Sequence, residues 1–247
     1  IVLSSVNRDS ALLYEVREQL GNETPIALLA LGSMPEGGTF IRSGAPFFRK
    51  GDSILFSCTA DSDIFKRLVR STDASVYVLP FGIDCQTFKP LPEDCNRMAR
   101  LSMGVGVDTP LLLYSGRIHP EKGLHILIWM LEEIVKKNDK VVLCIAGPIE
   151  NEKFPHFDVL TDGYYSYLRE IINFRKLGHH VIFLGNQPQK SLAALYSTAD
   201  VLIHPTISPT ENFGYAPVEA MACGTPVVCS HLGGMKDTVV DRKTGFF

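Results

Sequence analysis

Apolar and polar residues form two kinds of block along this chain. Continuous apolar runs of about four to eight residues indicate buried strands, whereas apolar residues at every third or fourth position indicate amphipathic helices. The continuous runs predict strands over residues 25–31, 52–57, 76–79, 110–114, 140–146, 181–184, 201–204 and 226–229. The helical spacing predicts helices over residues 9–20, 62–70, 95–101, 124–135, 164–177, 191–197 and 218–223. Strands that alternate with helices favour parallel sheets with helices on both faces.

The pattern weakens over residues 85–108, which contain two prolines, mixed charges, Gly104 and Gly106. We therefore predict a first domain over residues 1–90, a linker over residues 91–108 and a second domain over residues 109–247. Two further stretches, 33–51 and 151–163, are rich in Gly, Pro, Ser or other polar residues and are predicted to be loops.

The stretch between the last two predicted strands has the clearest local pattern. Pro217 suits the first turn of a short helix, and Gly224 suits the position just past its end. The amides of Gly214, Tyr215 and Ala216 then lie at or just before the start of the helix. Such amides form an anion-binding site.

Two carboxylates flank this helix start, Glu211 and Glu219, which are eight positions apart. Glu219 falls in the first turn, where it could accept hydrogen bonds from neutral hydroxyls beside a bound anion. A capping carboxylate is the alternative interpretation of Glu219, but it does not explain Glu211.

Two cations follow the strand predicted over residues 110–114. Arg117 comes directly after it, and Lys122 lies at the start of the next helix. The helix dipole disfavours a lysine there unless an anion is present. A planar guanidinium and an ammonium point charge together fit a diphosphate. The alternative is a pair of solvated surface cations.

The combined pattern resembles the retaining glycosyltransferases of the GT-B fold (glycosyltransferase family 4-like, "glycosyl transferases group 1"). The similarity rests on Glu211 and Glu219 with seven residues between them, on the run over residues 219–227, and on Gly116-Arg117 followed by Lys122-Gly123. It covers most of the second domain and the latter part of the first. The resemblance implies an α/β GT-B-like protein with two Rossmann-like, doubly wound parallel-sheet domains, the first of them incomplete.

The resemblance also implies roles for single residues. Arg117, Lys122 and Glu211 are expected to be catalytic, the cations stabilising the leaving diphosphate and Glu211 contacting the donor sugar. Glu219 is expected to bind the ribose hydroxyls. The remaining residues expected to bind the donor are Phe213, Gly214, Tyr215, Ala216, Gly116, Gly185 and Asn186.

The implied reaction moves a sugar from a nucleotide diphosphate sugar to an acceptor hydroxyl with retention of the anomeric configuration. The expected acceptor is a sugar, a lipid-linked group or a small molecule, and neither a cofactor nor a metal is expected. Two alternatives stay open: a nucleotide-sugar-binding module or inactive relative without transfer activity, and a GT-B-fold nucleotide-sugar epimerase.

Three departures from the family pattern lie in the first domain and at the ends. Leu31 occupies the position where the family commonly has a histidine, and neither the usual glycine-rich loop at the start nor the usual closing helix is recognisable. The chain is therefore expected to be a fragment or a shortened relative.

Composition limits the class of protein further. The formal net charge of −3 argues against a nucleic-acid binder that works by bulk electrostatics. Six cysteines without a C-x-x-C pair favour a reducing, cytoplasmic compartment. No apolar run has the length of a membrane span, and we expect a soluble protein for which peripheral membrane contact stays open.

Overall fold

A computed structural model describes most of the chain, namely residues 2–5, 17–19, 21, 24–30, 48–69, 71–149, 163–209 and 211–247. Several predictions lie wholly or mainly outside these residues: Leu31, the loops over residues 33–51 and 151–163, and the helix over residues 9–20, of which residues 17–19 are described and helical.

The described strands are β1 (Val2–Ser5), β2 (Ala27–Ala30), β3 (Ser53–Phe56), β4 (Ser75–Val78), β5 (Leu111–Ser115), β6 (Val142–Ala146), β7 (Val181–Gly185), β8 (Val201–His204), β9 (Val227–Cys229) and β10 (Gly245–Phe246). The helices are α1 (Thr59–Leu68), α2 (Glu93–Ser102), α3 (Leu124–Val135), α4 (Tyr164–Phe174), α5 (Gln189–Thr198), α6 (Tyr215–Ala222) and α7 (Met235–Thr238). A 3-10 turn, Pro120–Lys122, precedes α3.

The chain divides into two compact units, each built from separate segments. Unit 1 contains Ile1–Gly82, Pro209–Gly214 and Leu232–Thr238; unit 2 contains Ile83–Ser208, Tyr215–His231 and Val239–Phe247. The predicted division into residues 1–90, 91–108 and 109–247 stays a prediction. In the structure α2, which lies in the predicted linker, packs against α5.

Unit 1 is built on a parallel sheet with the order β1-β2-β3-β4. Alternate residues of β2 and β3 are buried, because one face of the sheet packs on the core. Phe65 of α1 closes this core, with its ring 5.3 Å from that of Phe56.

Unit 2 is built on a parallel sheet with the order β10-β9-β8-β5-β6-β7. The chain runs from β5 outward to β7 and then returns to the other side of β5 as β8. One face carries the main core beneath α3 and α4, and the other is contacted by α5 and α6. This is the predicted doubly wound arrangement, and its topological switch point lies between β5 and β8.

Every predicted strand is present, with ends that differ by one or two residues. Several helix ends were wrong, among them the start of α6, which lies at Tyr215 and not at residue 218. Helix α1 begins at Thr59, three residues early, because the Asp237 carboxylate caps its first amide at 2.6 Å. Helix α2 begins at Glu93, and α4 ends at Phe174, since Lys176 has a left-handed backbone (φ 57°). The hydrophobic pattern did not predict β1, α7 and β10, which are short and show no regular spacing of apolar residues.

The cysteines of the apolar runs behave as small buried hydrophobic residues. Cys144, Cys223 and Cys229 are buried, and burial raises the pKa of each thiol to about 11. All six cysteines of the chain are free.

Candidate functional site

Two loops flank the switch point of unit 2, one after β5 and one after β8, and hydrogen bonds join them. The Glu121 carbonyl accepts from the Ile207 amide at 2.9 Å and from the Thr206 hydroxyl at 3.1 Å. Gly123 has a left-handed backbone (φ 70°), and a Cβ there would lie 2.1 Å from the Pro205 carbonyl oxygen. The crevice where open α/β sheets bind ligands is therefore bordered by two loops of fixed relative position.

Arg117 extends from the first of these loops. Its carbonyl accepts a hydrogen bond from the Tyr114 hydroxyl at 2.8 Å, and the next amide, that of Ile118, donates to Pro148 at 3.0 Å. The side chain itself is exposed. The backbone is thus fixed while the guanidinium can reach a ligand.

Lys122 ends the 3-10 turn directly before α3, as predicted. The first turn of α3 contains no acidic residue, and Gly123 offers no side chain as a cap. An anion bound here would interact favourably with the helix dipole and with the ammonium group. His119 stabilises this turn, since its side chain is buried and its Nδ1 accepts a hydrogen bond from the Glu121 amide at 3.2 Å.

Glu219 lies in α6, which begins at Tyr215, three residues before the predicted start, so Glu219 falls in the second turn and not, as predicted, in the first. Pro217 is in the first turn, and Gly224 (φ 86°) ends the helix in a Schellman motif, in which the Thr225 amide donates to Ala220 at 3.0 Å. The Glu219 carboxylate accepts a hydrogen bond from the Tyr196 hydroxyl at 3.0 Å. Burial raises the pKa of this carboxyl, and the Tyr196 hydrogen bond partly offsets the shift.

Three glycines end β5, β6 and β7 side by side. Gly116 donates its amide to Ala146 at 3.0 Å, and Gly147 donates to Gly185 at 2.8 Å. A Cβ on Gly147 would lie 1.8 Å from the Gly116 carbonyl oxygen, so no larger residue fits. Asn186, which follows Gly185, is exposed. Gly147 was not among the predicted site residues, although its position after a buried strand, before a proline, was the available signal.

The Glu211 loop belongs to unit 1, where the turn at Gly233 and Gly234 supports it. The Gly234 amide donates to the Glu211 carbonyl at 2.9 Å, and a Cβ on either glycine would lie within about 2 Å of the carbonyl oxygens of Glu211 or Asn212. Phe213 is buried with its ring 5.6 Å from Phe81. The close approach of these carbonyl oxygens is therefore a structural reason for glycine at both positions of the turn.

The predicted site residues fall in both units. Those in unit 2 are Arg117, Lys122, Glu219, Tyr215, Ala216, Gly116, Gly185 and Asn186; those in unit 1 are Glu211, Phe213 and Gly214. In unit 2 they follow β5 and β7 or lie in α6. His204, considered as a polar group near the site, is buried, and its ring stacks 6.5 Å from that of Tyr114.

A cavity of about 330 Å³ lies between α2 and the end of α5, next to the residue that precedes β8. Arg100 and Asp200 line it, and none of the predicted site residues does. Within the described ranges, no three His, Cys, Asp or Glu side chains are grouped to hold a metal ion. Among the described helices, none combines the length and the apolar character that a membrane span requires.

Comparison with known proteins identifies relatives of this arrangement. The family model "Glycosyl transferases group 1" matches residues 102–247. D-inositol 3-phosphate glycosyltransferase from Xylanimonas cellulosilytica is 29% identical over 222 residues, covering 89% of this chain and 50% of the relative. The enzyme of the same name from Corynebacterium diphtheriae is 30% identical over 187 residues, covering 72% and 40%. The chain spans about half the length, or less, of these curated relatives.

Solved structures show the same fold. HepE from Anabaena, in complex with UDP and glucose, has a TM-score of 0.75 at 24% identity, covering 99% of this chain and 63% of that one. A glycosyltransferase from Rickettsia africae has a TM-score of 0.77 at 19% identity, covering 99% and 61%. The fold is GT-B, and the family match covers more than half of the chain. The chain therefore belongs to the glycosyl transferases group 1 family.

Proposed function

We propose that the chain supplies the donor-binding part of a glycosyltransferase, which moves a sugar from a nucleotide diphosphate sugar to an acceptor hydroxyl with retention at the anomeric carbon. The observation that carries the proposal is the switch point of unit 2, where Arg117 and Lys122 border one crevice. The matched family supports the reaction class.

The charges at this crevice suit the departure of a diphosphate. The bond between the anomeric carbon and the diphosphate oxygen breaks, a bond to the acceptor oxygen forms, and the acceptor hydroxyl gives up its proton. Negative charge grows on the leaving diphosphate. Arg117, Lys122 and the N-terminal end of α3 would stabilise that charge in place before the reaction.

Glu219 suits the neutral part of the donor. A carboxylate accepts hydrogen bonds from two neighbouring hydroxyls and repels a phosphate. Its place in α6, within a half-buried environment, supports a role in binding the two ribose hydroxyls. Glu211 is proposed to contact the donor sugar, and the amides of Phe213, Gly214 and Tyr215 to bind sugar and phosphate. Catalysis is proposed to need neither metal nor cofactor.

Calorimetric titration with UDP, GDP, ADP and their common sugar conjugates tests the donor site. We expect one nucleotide to bind, and Arg117→Ala and Glu219→Ala each to weaken its binding at least about fivefold, equivalent to about 1 kcal/mol for a lost charged hydrogen bond. Arg97→Ala is the matched control, since Arg97 is exposed and lines the cavity between α2 and the end of α5.

If Arg97→Ala and Arg117→Ala weaken nucleotide binding equally, the loss reflects the net charge of the chain, and the assignment of Arg117 to the donor site is contradicted. Turnover is the second step, with D-inositol 3-phosphate among the acceptors because two relatives carry that substrate in their names. A new glycosidic product supports transfer. Binding without any product identifies a binding module, and an altered nucleotide sugar identifies an epimerase.

A further inference from the structure

A chain of hydrogen bonds through two buried hydroxyl groups, those of Ser115 and Tyr196, reaches the Glu219 carboxylate within unit 2. The Tyr196 hydroxyl, in α5, lies 3.0 Å from Glu219 Oε2 and 2.9 Å from the hydroxyl of Ser115, the last residue of β5. Tyr196 is 1% exposed and Ser115 is 5% exposed. A short hydrogen-bonded chain thus connects the end of β5, through α5, to α6.

The direction of these bonds follows from the chemistry of the groups. An ionised carboxylate can only accept, so the Tyr196 hydroxyl donates its one hydrogen to Glu219. The same oxygen then accepts from the Ser115 hydroxyl. Ser115 therefore fixes the rotation of the Tyr196 O–H bond, and that bond fixes one carboxylate oxygen of Glu219.

Tyr196 is itself held in place on two sides. Its backbone carbonyl accepts a hydrogen bond from the hydroxyl of Thr225, which directly follows Gly224 in the segment between α6 and β9. Its ring lies 6.0 Å from that of Phe88. Hydrogen bonds thus join α5 to α6 at Glu219 and to the segment just after α6 at Thr225.

We propose that Tyr196, oriented by Ser115, is a positioning residue that aims the Glu219 carboxylate at the ribose hydroxyls of the donor nucleotide. This inference rests on the proposed function, because it needs Glu219 to bind ribose. It goes beyond the proposed function because it assigns the selectivity for ribose to a buried residue, Tyr196, which is not proposed to contact the donor.

The electrostatics of the group agree with this geometry. Burial raises the pKa of the Glu219 carboxyl, which disfavours the ionised form, and the Tyr196 hydrogen bond acts in the opposite direction. Burial is also the largest cause that raises the pKa of Tyr196, so this hydroxyl stays a donor at neutral pH. The Tyr196 hydrogen bond therefore favours the ionised form of Glu219, the form that accepts from hydroxyl groups, against the effect of burial.

The test measures discrimination between ribose and dideoxyribose. UDP, GDP and ADP, each with its 2′,3′-dideoxy counterpart, are titrated calorimetrically into the full chain, and the ratio of the two dissociation constants is taken for the nucleotide that binds. We expect a ratio of about tenfold or more for the wild type. Tyr196→Phe keeps the ring and should lower the ratio to about threefold or less. Glu219→Gln should lower it similarly, and the double variant no further.

Thr198→Val is the matched control. Thr198 is 4% exposed, lies two residues further along α5, and donates its hydroxyl to the Asn96 carbonyl at 2.9 Å. Its loss removes a buried hydroxyl from the same helix without touching Glu219, so the ratio should stay at the wild-type value. If Tyr196→Phe does not fold, Ser115→Ala replaces it, with a smaller fall in the ratio expected.

The outcomes separate this inference from the proposed function. A wild-type ratio in Tyr196→Phe, with a low ratio in Glu219→Gln, overturns the positioning role and leaves the donor site intact. A wild-type ratio in Glu219→Gln, or no nucleotide bound by the wild type, overturns the ribose role of Glu219 and the positioning role together. An equal fall in Thr198→Val shows a general effect of destabilising α5 and also overturns the inference.

Discussion

At the scale of single residues, Gly123 shows most directly how backbone geometry constrains the proposed site. Its φ of 70° belongs to the left-handed region, and a Cβ would lie 2.1 Å from the carbonyl oxygen of Pro205. Both the strain and the clash would have to be relieved by separating the loops that follow β5 and β8. Gly123 is therefore important both for the stability of the fold and for the relative position of the two loops that border the crevice.

We predict that Gly123→Ala lowers the free energy of unfolding by about 2 kcal/mol or more, as expected when a strained position and a packing clash combine. Urea unfolding followed by the fluorescence of Trp129, the single tryptophan of the chain, measures the change. Gly178→Ala is the control, because no atom lies within 4 Å of the Cβ it would add. Equal losses in both variants would contradict the prediction.

The candidate site residues were proposed from the sequence because they lie close together along the chain, and their roles stay predictions. Arg117 and Lys122 are five positions apart and Glu211 and Glu219 eight, so each pair falls within one local pattern. The link from Ser115 through Tyr196 to Glu219 could not be predicted, because it joins three separate elements. Only the folded sheet brings those residues together.

At the scale of elements, α3 depends on a contact from its neighbour α4. The Tyr164 hydroxyl accepts from the His125 amide at 3.1 Å and lies 2.8 Å from His125 Nδ1. It thereby satisfies an amide in the first turn, where Gly123 provides no side-chain cap. Burial lowers the pKa of His125, so the imidazole is held in its neutral form.

This depressed pKa makes stability depend on pH. Below about 6.5, the ordinary value for histidine, the unfolded chain takes up a proton that the folded His125 resists, so stability falls as the pH falls through this range. We predict that His125→Gln loses less stability than the wild type between about pH 7.5 and about pH 5.5. Urea unfolding at the two pH values measures this difference.

The exposed His179 provides the comparison. His179→Gln, which replaces an exposed imidazole outside α3, should keep the pH dependence of the wild type. A His125→Gln variant with the wild-type pH dependence would show that another group is responsible.

Elements of at least four residues with a clear hydrophobic pattern, such as the apolar runs of β5 and β8 and the helical spacing of α3, were predictable because burial imposes that pattern on the sequence itself. The short elements β10 and α7 were not, since they exist through contacts with distant residues: β10 pairs with β9. The start of α1 was wrong for the same reason. Its cap, Asp237, is 178 positions away.

At the scale of the whole molecule, unit 1 is assembled from segments far apart in sequence. The Asp237 carboxylate accepts from the Thr59 amide at 2.6 Å and from the Thr59 hydroxyl at 2.5 Å. The Asn212 side-chain amide donates to Asp61 at 2.8 Å. The start of α1 is therefore the place where the late segments of unit 1 are attached.

We predict that Asp237→Ala destabilises the start of α1 by about 1 kcal/mol, the usual cost of losing a helix cap. Hydrogen exchange at the amides of residues 59–62 should become faster, by about fivefold for that energy. Lys236→Ala, an exposed change in the same short helix α7, should leave these rates unaltered. Unchanged exchange in Asp237→Ala would show that the carboxylate contributes no cap.

The discontinuity of unit 1 has a consequence for how the chain folds during synthesis. A ribosome that adds roughly 5 to 20 residues per second needs roughly 10 to 35 s to travel from residue 59 to residue 237. Throughout that interval α1 exists without the carboxylate that caps it, and the carbonyls of Glu211 and Asn212 emerge before the glycine turn that supports them. Chains that end after residue 231 and have left the ribosome should therefore be cleaved by proteases near residue 211, whereas chains that include Leu232–Thr238 should resist cleavage there.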